Sequence, residues 1–528
     1  MKTNKTTSIF QFWKNDLLSG FLVFLIALPL SLGIAKASGF PASMGILTAM
    51  IGGLAVSLFP KVSALSIKGP AAGLITICAG AIAEFTSIDA AQNALSHLAG
   101  ILIIVAITQI IMGYLKFGSL ADLFPHSAVH GMLAAIGIII IAKQIPVLLG
   151  DDPLLYKGES PLELLRDIPK FIQNAHPHIA LIGLIGLLVL FVLPYVPFKK
   201  IRQIPAPMVV LILTVPLSLA WHLKTSEPDY ALVKIGNFWG SIHFAPRFNM
   251  IGTWTFWKYV VMFLFVNSLE SLLTVKAVDD LDPMHRKTNP NSDLIALGVG
   301  NAFSGLLGGM PMISEVVRSS ANIGFGGKSR GSNFFHGLFL LISMIILVPA
   351  IELIPNTALA AMLIFAGYRL SSPKEFIQTY KLGKEQLVIF LMTIIVTLST
   401  DLLLGVGVGI MTKLIFHIFS GAPLNSLFTS KRNQIDTDNS ITIEILESAL
   451  FTNILTYKRI FDELPKTKSV IVDFSNCALV DNPFIEFIEH IKQDWNEQGR
   501  ELDIIGLIEM VPFSKHPLST RRRKELQP

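Results

Sequence analysis

The chain has only two cysteines, Cys78 in a hydrophobic segment and Cys477 in the C-terminal region. Thiols so placed do not meet, so no disulfide framework is expected. It has no Walker motif, no nucleophile–base constellation and no metal-ligand spacing, which argues against a membrane enzyme. Its net charge of +5 is no nucleic-acid signal, because the basic residues sit in short loops. What it has in quantity is apolar surface. Hydrophobic residues make up 52% of the sequence and the mean hydropathy is +0.59. The apolar runs are about 20 residues long, enough to cross a bilayer. The chain reads as a polytopic membrane protein.

Residues 17–35 have the character of a signal-peptide core, and Ala35-Lys36-Ala37 resembles a cleavage site. The run is long, contains Pro29 and is followed closely by another, so an uncleaved first span is the preferred reading. Spans are expected near 16–36, 41–59, 70–85, 95–115, 126–149, 177–197 and 206–223. A second set is expected near 254–279, 292–308, 312–323, 332–353, 355–370, 384–402 and 403–420. That makes about fourteen, the third and tenth being half-helices. Gly405-Val406-Gly407-Val408-Gly409 lies inside a span, where close helix packing explains it better than phosphate binding.

Lysine and arginine placement orients the chain. Lys2, Lys5, Lys14, Lys199, Lys200, Arg202, Arg286, Lys287, Lys328, Arg330, Arg369, Lys374, Lys381, Lys384, Lys431 and Arg432 all fall on one side in an alternating topology. This predicts an inner or plasma membrane protein with both termini cytoplasmic. Loops 150–176 and 224–253 then face outward.

Two hydrophobic segments are broken. One reads Ser66-Ile67-Lys68-Gly69-Pro70-Ala71-Ala72-Gly73; the other reads Gly308-Gly309-Met310-Pro311-Met312-Ile313-Ser314-Glu315, followed by Val316-Val317-Arg318. A helix begun inside the bilayer leaves free N–H groups and a positive dipole end in low dielectric. That is costly unless an anion sits there. Two such breaks in corresponding halves point to a central anion site of a transporter. The donors expected are at Ala71–Gly73 and Ser314–Val316, with the Ser314 hydroxyl serving the anion or capping the helix.

Composition changes near residue 430. Residues 441–454 alternate like a strand, Ser469 to Phe474 is a buried-type strand, and 502–507 is a third candidate. Asp481-Asn482-Pro483 starts a helix running to Trp495, with proline in the first turn. A small α/β domain over 438–515 follows, after a membrane domain over 1–430. Residues 516–528, with Arg521-Arg522-Arg523-Lys524, are expected to be a solvated basic tail, with a contact to the anionic inner leaflet as the other reading.

These motifs, in this order and spacing, resemble the SulP family of anion transporters, of the sulfate permease and bicarbonate transporter type. The likeness rests on the Pro29 span with Gly39-Phe40-Pro41, on Gly69-Pro70, on Asn267 to Asp279 (NSLESLLTVKAVD) and on Gly309 to Asn322 with its arginine seven residues after the proline. The C-terminal part resembles a STAS domain, with IEILESALFTNI as its opening and VIVDFSNCALVD as its central strand and loop. The resemblance implies an α-helical polytopic fold in two inverted repeats of about seven spans each. It also implies a core of spans one to four and eight to eleven, a gate of the other spans, elevator-like motion and a homodimer. The sequence departs from the family at Leu30, Ile34, Lys68 and Glu315, all around the expected site. The STAS loop Asp481-Asn482-Pro483 lacks the serine that is phosphorylated in related bacterial regulators.

Glu270 lies deep in the eighth span, and an intramembrane carboxylate is a functional candidate. Thr274 is one turn away on the same face. The resemblance puts this pair beside the tenth-span start, where sodium-coupled relatives hold the cation. Carboxylate, hydroxyl and free carbonyls suit a hard cation, and a proton on Glu270 is the other reading. Lys68 and Glu315 either neutralise each other across the breaks or serve a bound anion and a coupling ion. Arg318 either supplies positive potential or pairs with a carboxylate. His126, His130 and His336 read as hydrogen-bonded structural residues. The expected function is secondary transport of bicarbonate, sulfate or a dicarboxylate with Na⁺ or H⁺, without a cofactor. A membrane-anchored STAS regulator and a nucleobase-type transporter of the same fold are the alternatives.

Overall fold

Inside a bilayer the backbone must satisfy its own polar groups, so apolar runs fold as helices. The computed structural model describes residues 11–89, 91–119, 125–151, 156, 159–197, 204–226, 231–242, 246–465 and 467–524. Each expected apolar segment holds a helix, and the one near 332–353 also holds a second, short one at Val348–Ile351. The first seven are α1 (Trp13–Ala37), α2 (Ala42–Leu54), α3 (Ile75–Ile88), α4 (Ala91–Tyr114), α5 (His126–Leu149), α6 (Pro177–Val192) and α7 (Ala206–Ala220). The next seven are α8 (Trp254–Leu281), α9 (Pro290–Leu306), α10 (Val316–Gly324), α11 (Gly331–Ile346), α12 (Asn356–Leu370), α13 (Lys384–Ser399) and α14 (Leu402–Phe419). Among the described residues, α1, α4, α5, α8, α14 and α6 together with the 3-10 turn that extends it to Tyr195 meet the length and hydropathy needed to cross a membrane. Helices α3 and α10 are short, as the breaks before them dictate. Lys2, Lys5, Lys199, Lys200 and Arg202 lie outside the described residues.

The chain forms two compact units. The first comprises Met1–Gly118 and Ile136–Leu370; the second comprises Ser119–Ala135 and Ser371–Pro528. In the first, α4 packs along α9, and α1 packs on α2 and α11. Helices α2 and α11 touch through Gly53 and Gly337, where a Cβ on either would strike the other's backbone. Small residues permit this approach, and dispersion then holds the pair together.

In the second unit α13 and α14 pack as an antiparallel pair across a short turn. Gly405 and Gly409 seat Thr397 and Thr393 of α13, so these glycines serve helix packing. The C-terminal region is a sheet of β3 (Lys431–Asp436), β4 (Ser440–Ala449), β5 (Ser469–Asp473), β6 (Cys477–Val480), β7 (Leu502–Ile505), β8 (Val511–Pro512) and β9 (Arg521–Arg522), where β1 and β2 denote the broken-segment strands Ile67–Gly69 and Ile313–Glu315. The strand order is β7-β5-β4-β6-β9-β8, with β3 pairing β4. Parallel pairing of β4 with β5 and β6 requires crossovers, supplied by α15 (Ile454–Glu463) and, from β6 to β7, α16 (Asn482–Glu497). Ile441, Ile443, Ile445, Val470, Val472, Tyr457 and Phe484 form its core, against which Ile410 and Leu414 of α14 pack.

Two readings of this region are corrected. The strand expected over 441–454 ends at Ala449, and the chain turns through Phe451–Asn453 into α15. The buried set there changes from alternation to Ile454, Tyr457, Ile460 and Phe461, a helical period. The described part of the basic tail, to residue 524, is not a free solvated end. Arg521 and Arg522 form β9 between β6 and β8, and the Arg521 guanidinium donates to Leu507 O at 2.9 Å. Charge composition suggested solvent; an unpaired edge of β6 provided a backbone partner instead. Cys78 and Cys477 are both free and buried.

Candidate functional site

The two breaks meet. Strand β1 pairs antiparallel with β2, with Ile67 opposite Glu315, Lys68 opposite Ser314 and Gly69 opposite Ile313. This two-stranded ribbon gives each extended stretch a partner for its backbone groups, which membrane burial demands. Each strand then turns into a helix. After Gly69-Pro70 the chain makes a 3-10 turn at Ala72–Leu74 and continues as α3. After β2 it continues directly as α10.

The two helix starts differ. Among the described residues no side chain caps the turn at Ala72, so the donors of Ala71–Gly73 are left for another acceptor. At α10, Glu315 is the N-cap, and its Oε2 accepts from the Arg318 N–H at 2.7 Å. A carboxylate there is favourably placed against the helix dipole. Glu315 is therefore committed to its own helix.

Lys68 does not pair with Glu315. Its Nζ lies 2.6 Å from Asp293 Oδ2 on α9 and donates to Ser314 Oγ. The antiparallel register explains this: Lys68 sits opposite Ser314, one step short of Glu315. The Ser314 hydroxyl is thus engaged by Lys68 and by Ser271 Oγ at 3.0 Å, and Ser314 N donates to Ser271 Oγ at 3.1 Å. Ser314 is not the N-cap.

Glu270 of α8 reaches the open start. A Cβ at Gly73 would overlap its carboxylate. Glu270 Oε2 and Thr274 Oγ1 are buried without a hydrogen-bond partner among the described residues, and so is Thr76 Oγ1 on α3. Orphaned buried oxygens of this kind fit a hard cation or a proton. Arg318 is fully buried, with its guanidinium against Gly69 and Nη2 donating to Pro70 O at 3.3 Å. Its Nε and Nη1 have no partner among the described residues, and it is attracted by Glu315. Val316 is half exposed beside them.

A polar network behind the breaks was not anticipated. Met310 N donates to Thr48 Oγ1 at 2.7 Å and Met312 N to Asn301 Oδ1 at 2.8 Å. Asn301 Nδ2 reaches Gln109 Oε1 at 3.0 Å, and Gln109 Nε2 reaches Asn267 Oδ1 at 2.9 Å. These side chains supply the bonds that Pro311 and the glycines remove from the segment. Polar residues inside apolar runs, Gln109, Asp293 and Asn301, were the available sequence signal. The histidines divide. His130 Nδ1 bonds Glu375 Oε2 at 2.8 Å, and His126 lies 3.5 Å from Glu486. His336 is wholly buried on α11 with neither ring nitrogen partnered among the described residues, contrary to its reading as a hydrogen-bonded residue. A small cavity walled by Phe40, Leu98, Leu102, Phe263, Gly309 and Pro311 lies beside the second break.

Apolar helices interrupted by two facing, strand-paired breaks define a multi-pass membrane protein of the transporter type. The profile of the sulfate permease family matches residues 13–393, and the chain belongs to that family. It is 25% identical over 439 residues to the bicarbonate transporter BicA of Picosynechococcus sp., covering 82% of this chain and 75% of that one. Its fold is that of the transmembrane domain of a cyanobacterium bicarbonate transporter BicA, with a TM-score of 0.64, 22% identity and coverage of 75% and 97% of the two chains. It also superimposes on SLC26A9 with a TM-score of 0.66 and 17% identity over 94% of this chain and 84% of that one.

Proposed function

We propose that this protein is a secondary active transporter of a small anion, bicarbonate, sulfate or a dicarboxylate, driven by Na⁺ or H⁺. The anion is received at Gly69–Gly73, by the uncapped donors of the α3 start, with Arg318 contributing positive potential and the carboxylate-capped α10 start at Ser314–Val316 closing the other side. The coupling ion is held by Glu270 and Thr274.

The observation that carries this reading is the juxtaposition, at Gly73, of a helix start that no side chain caps and the Glu270 carboxylate, whose Oε2 has no hydrogen-bond partner among the described residues. Charge balance supports the coupling. Asp293, Glu315 and Glu270 supply three carboxylates; Lys68 and Arg318 supply two fixed cations. One negative charge is left in low dielectric, and an incoming anion adds one more, or two for sulfate or a dicarboxylate. One monovalent cation or proton offsets the first, so cation and anion binding favour each other. Movement of α1–α4 and α8–α11 as a core against a gate of the remaining helices, in a homodimer with cytoplasmic termini, is the mechanism consistent with the family. The C-terminal α/β region acts as a STAS domain that supports the last helix; Asp481, at the position of the regulatory loop, is a helix cap.

The test is uptake by proteoliposomes across a panel of labelled anions, with Na⁺ and pH gradients imposed separately. Flux of an anion separates a transporter from a membrane-anchored regulator. Absence of flux for every anion in the panel, by protein that is folded by gel filtration, removes the proposal.

A further inference from the structure

The Lys68 ammonium sits in a cage of oxygens. Its Nζ is 2.6 Å from Asp293 Oδ2 and bonded to Ser314 Oγ, and Ser271 Oγ is 3.0 Å from Ser314 Oγ. Lys68, Asp293 and Ser271 are each 1% exposed and Ser314 is 0% exposed. Three elements contribute to the cage besides β1: α9 gives Asp293, β2 gives Ser314 and α8 gives Ser271. Asp293 Oδ1 is held by the Ser63 N–H at 3.1 Å, which fixes the carboxylate and leaves Oδ2 to the ammonium.

A carboxylate and a hydroxyl converging on the ammonium in a dry site, with the Ser271 hydroxyl behind them on Ser314, are a donor set that a small hard monovalent cation takes. An ammonium group carries the same charge and seeks the same anionic oxygens, but it is fastened to the chain. We infer that Lys68 is a tethered cation occupying a monovalent-cation site built by Asp293, Ser314 and Ser271, so that the strand crossing carries as part of its own chain the charge that a free ion would otherwise supply. Because the charge cannot dissociate, the crossing is neutralised at every sodium concentration. The cage shares no residue with Glu270 and Thr274. It concerns ion binding at the ribbon, and its test reads melting rather than flux, so it stands or falls apart from the transport reading.

Removing the ammonium leaves Asp293 buried and uncompensated, a state that strongly favours uptake of a replacement cation. The experiment is thermal unfolding of the full-length protein in detergent, in NaCl against choline chloride, with every variant in a Glu270→Gln background to silence the other oxygen pair. With Lys68 in place, sodium is expected to leave Tm unchanged. Lys68→Ala is expected to melt lower in choline and to gain several degrees in sodium, since a ligand that binds only the folded state stabilises it. Adding Asp293→Asn is expected to abolish that gain. A Lys68→Ala protein with no sodium-dependent shift overturns the inference, as does a shift that survives Asp293→Asn. If Lys68→Ala is not recovered, Lys68→Ser, with a hydroxyl as an extra ligand, carries the same comparison. If neither is recovered in sodium while Lys68→Met with Asp293→Asn is, sodium cannot replace the ammonium and the inference fails.

Discussion

The Glu270 carboxylate occupies the space that a side chain at Gly73 would fill. One residue belongs to α8 and the other to the turn that begins the third segment, and the missing Cβ is what lets them meet. Gly73 is not among the glycines with positive φ, so alanine is tolerated by the backbone and acts only through this contact. Gly73→Ala should fold, yet lower concentrative uptake at least roughly tenfold, because displacing a positioned group by about 1 Å is costly. Glu270→Asp, one methylene shorter, should restore part of the loss in the double variant. Undiminished uptake by Gly73→Ala would separate Glu270 from the site.

The two carboxylates at the breaks should respond differently to neutralisation. Glu270→Gln keeps size and removes charge, and it should abolish dependence on the Na⁺ or pH gradient. Glu315→Gln should retain that dependence and lose about 0.5–2 kcal/mol of stability, the range for a weakened helix cap. Uptake under each imposed gradient, beside thermal unfolding, reads both. The reverse pattern would move the coupling site to the tenth segment.

Asn301 satisfies the Met312 N–H, and Thr48 the Met310 N–H. Asn301→Leu leaves a buried donor unpaired and should cost about 1–3 kcal/mol. Thr48→Val should cost a similar amount. Lower melting temperatures in both, with Ser271→Ala used as a comparison at the neighbouring ribbon, would establish the network as the support of the broken segment. Unchanged melting in both would refute it.

Lys413 and His417 of α14 turn toward Asp481, whose Oδ2 lies 3.4 and 3.5 Å from them while the same side chain caps α16 and accepts from Phe451 N at 3.0 Å. Lys413 and Asp481 are 1% and 0% exposed. Removing one member of a buried pair costs about 3–5 kcal/mol. Asp481→Ala should therefore destabilise the protein strongly. Truncation after residue 435 should also lower stability, because it strips Ile410 and Leu414 of their partners in the α/β core. Thermal unfolding of both variants tests this, and a truncated protein as stable as the full chain would contradict it.

The segments, the two breaks and the family were legible in the sequence because each is local. Hydropathy over about 20 residues selects a helix whatever surrounds it. Proline and glycine interrupt that helix wherever they fall. Glu270 and Thr274 stand out the same way, as polar groups one turn apart in an apolar run, and their coupling role is a proposal. The partners of the charges were not legible. Lys68 and Asp293 are 225 residues apart, and nothing local distinguishes Asp293 from Glu315 as the acceptor. Only the antiparallel register decides it, by setting Lys68 opposite Ser314 and leaving Glu315 to cap its own helix. The C-terminal arginines follow the same rule: their charge predicts solvent, but an open strand edge takes their backbone. Sequence determined where helices form and where they break, since those are balances within a few turns. Tertiary structure decided which buried charges neutralise one another, since in low dielectric that depends on distances of a few ångströms between distant parts of the chain.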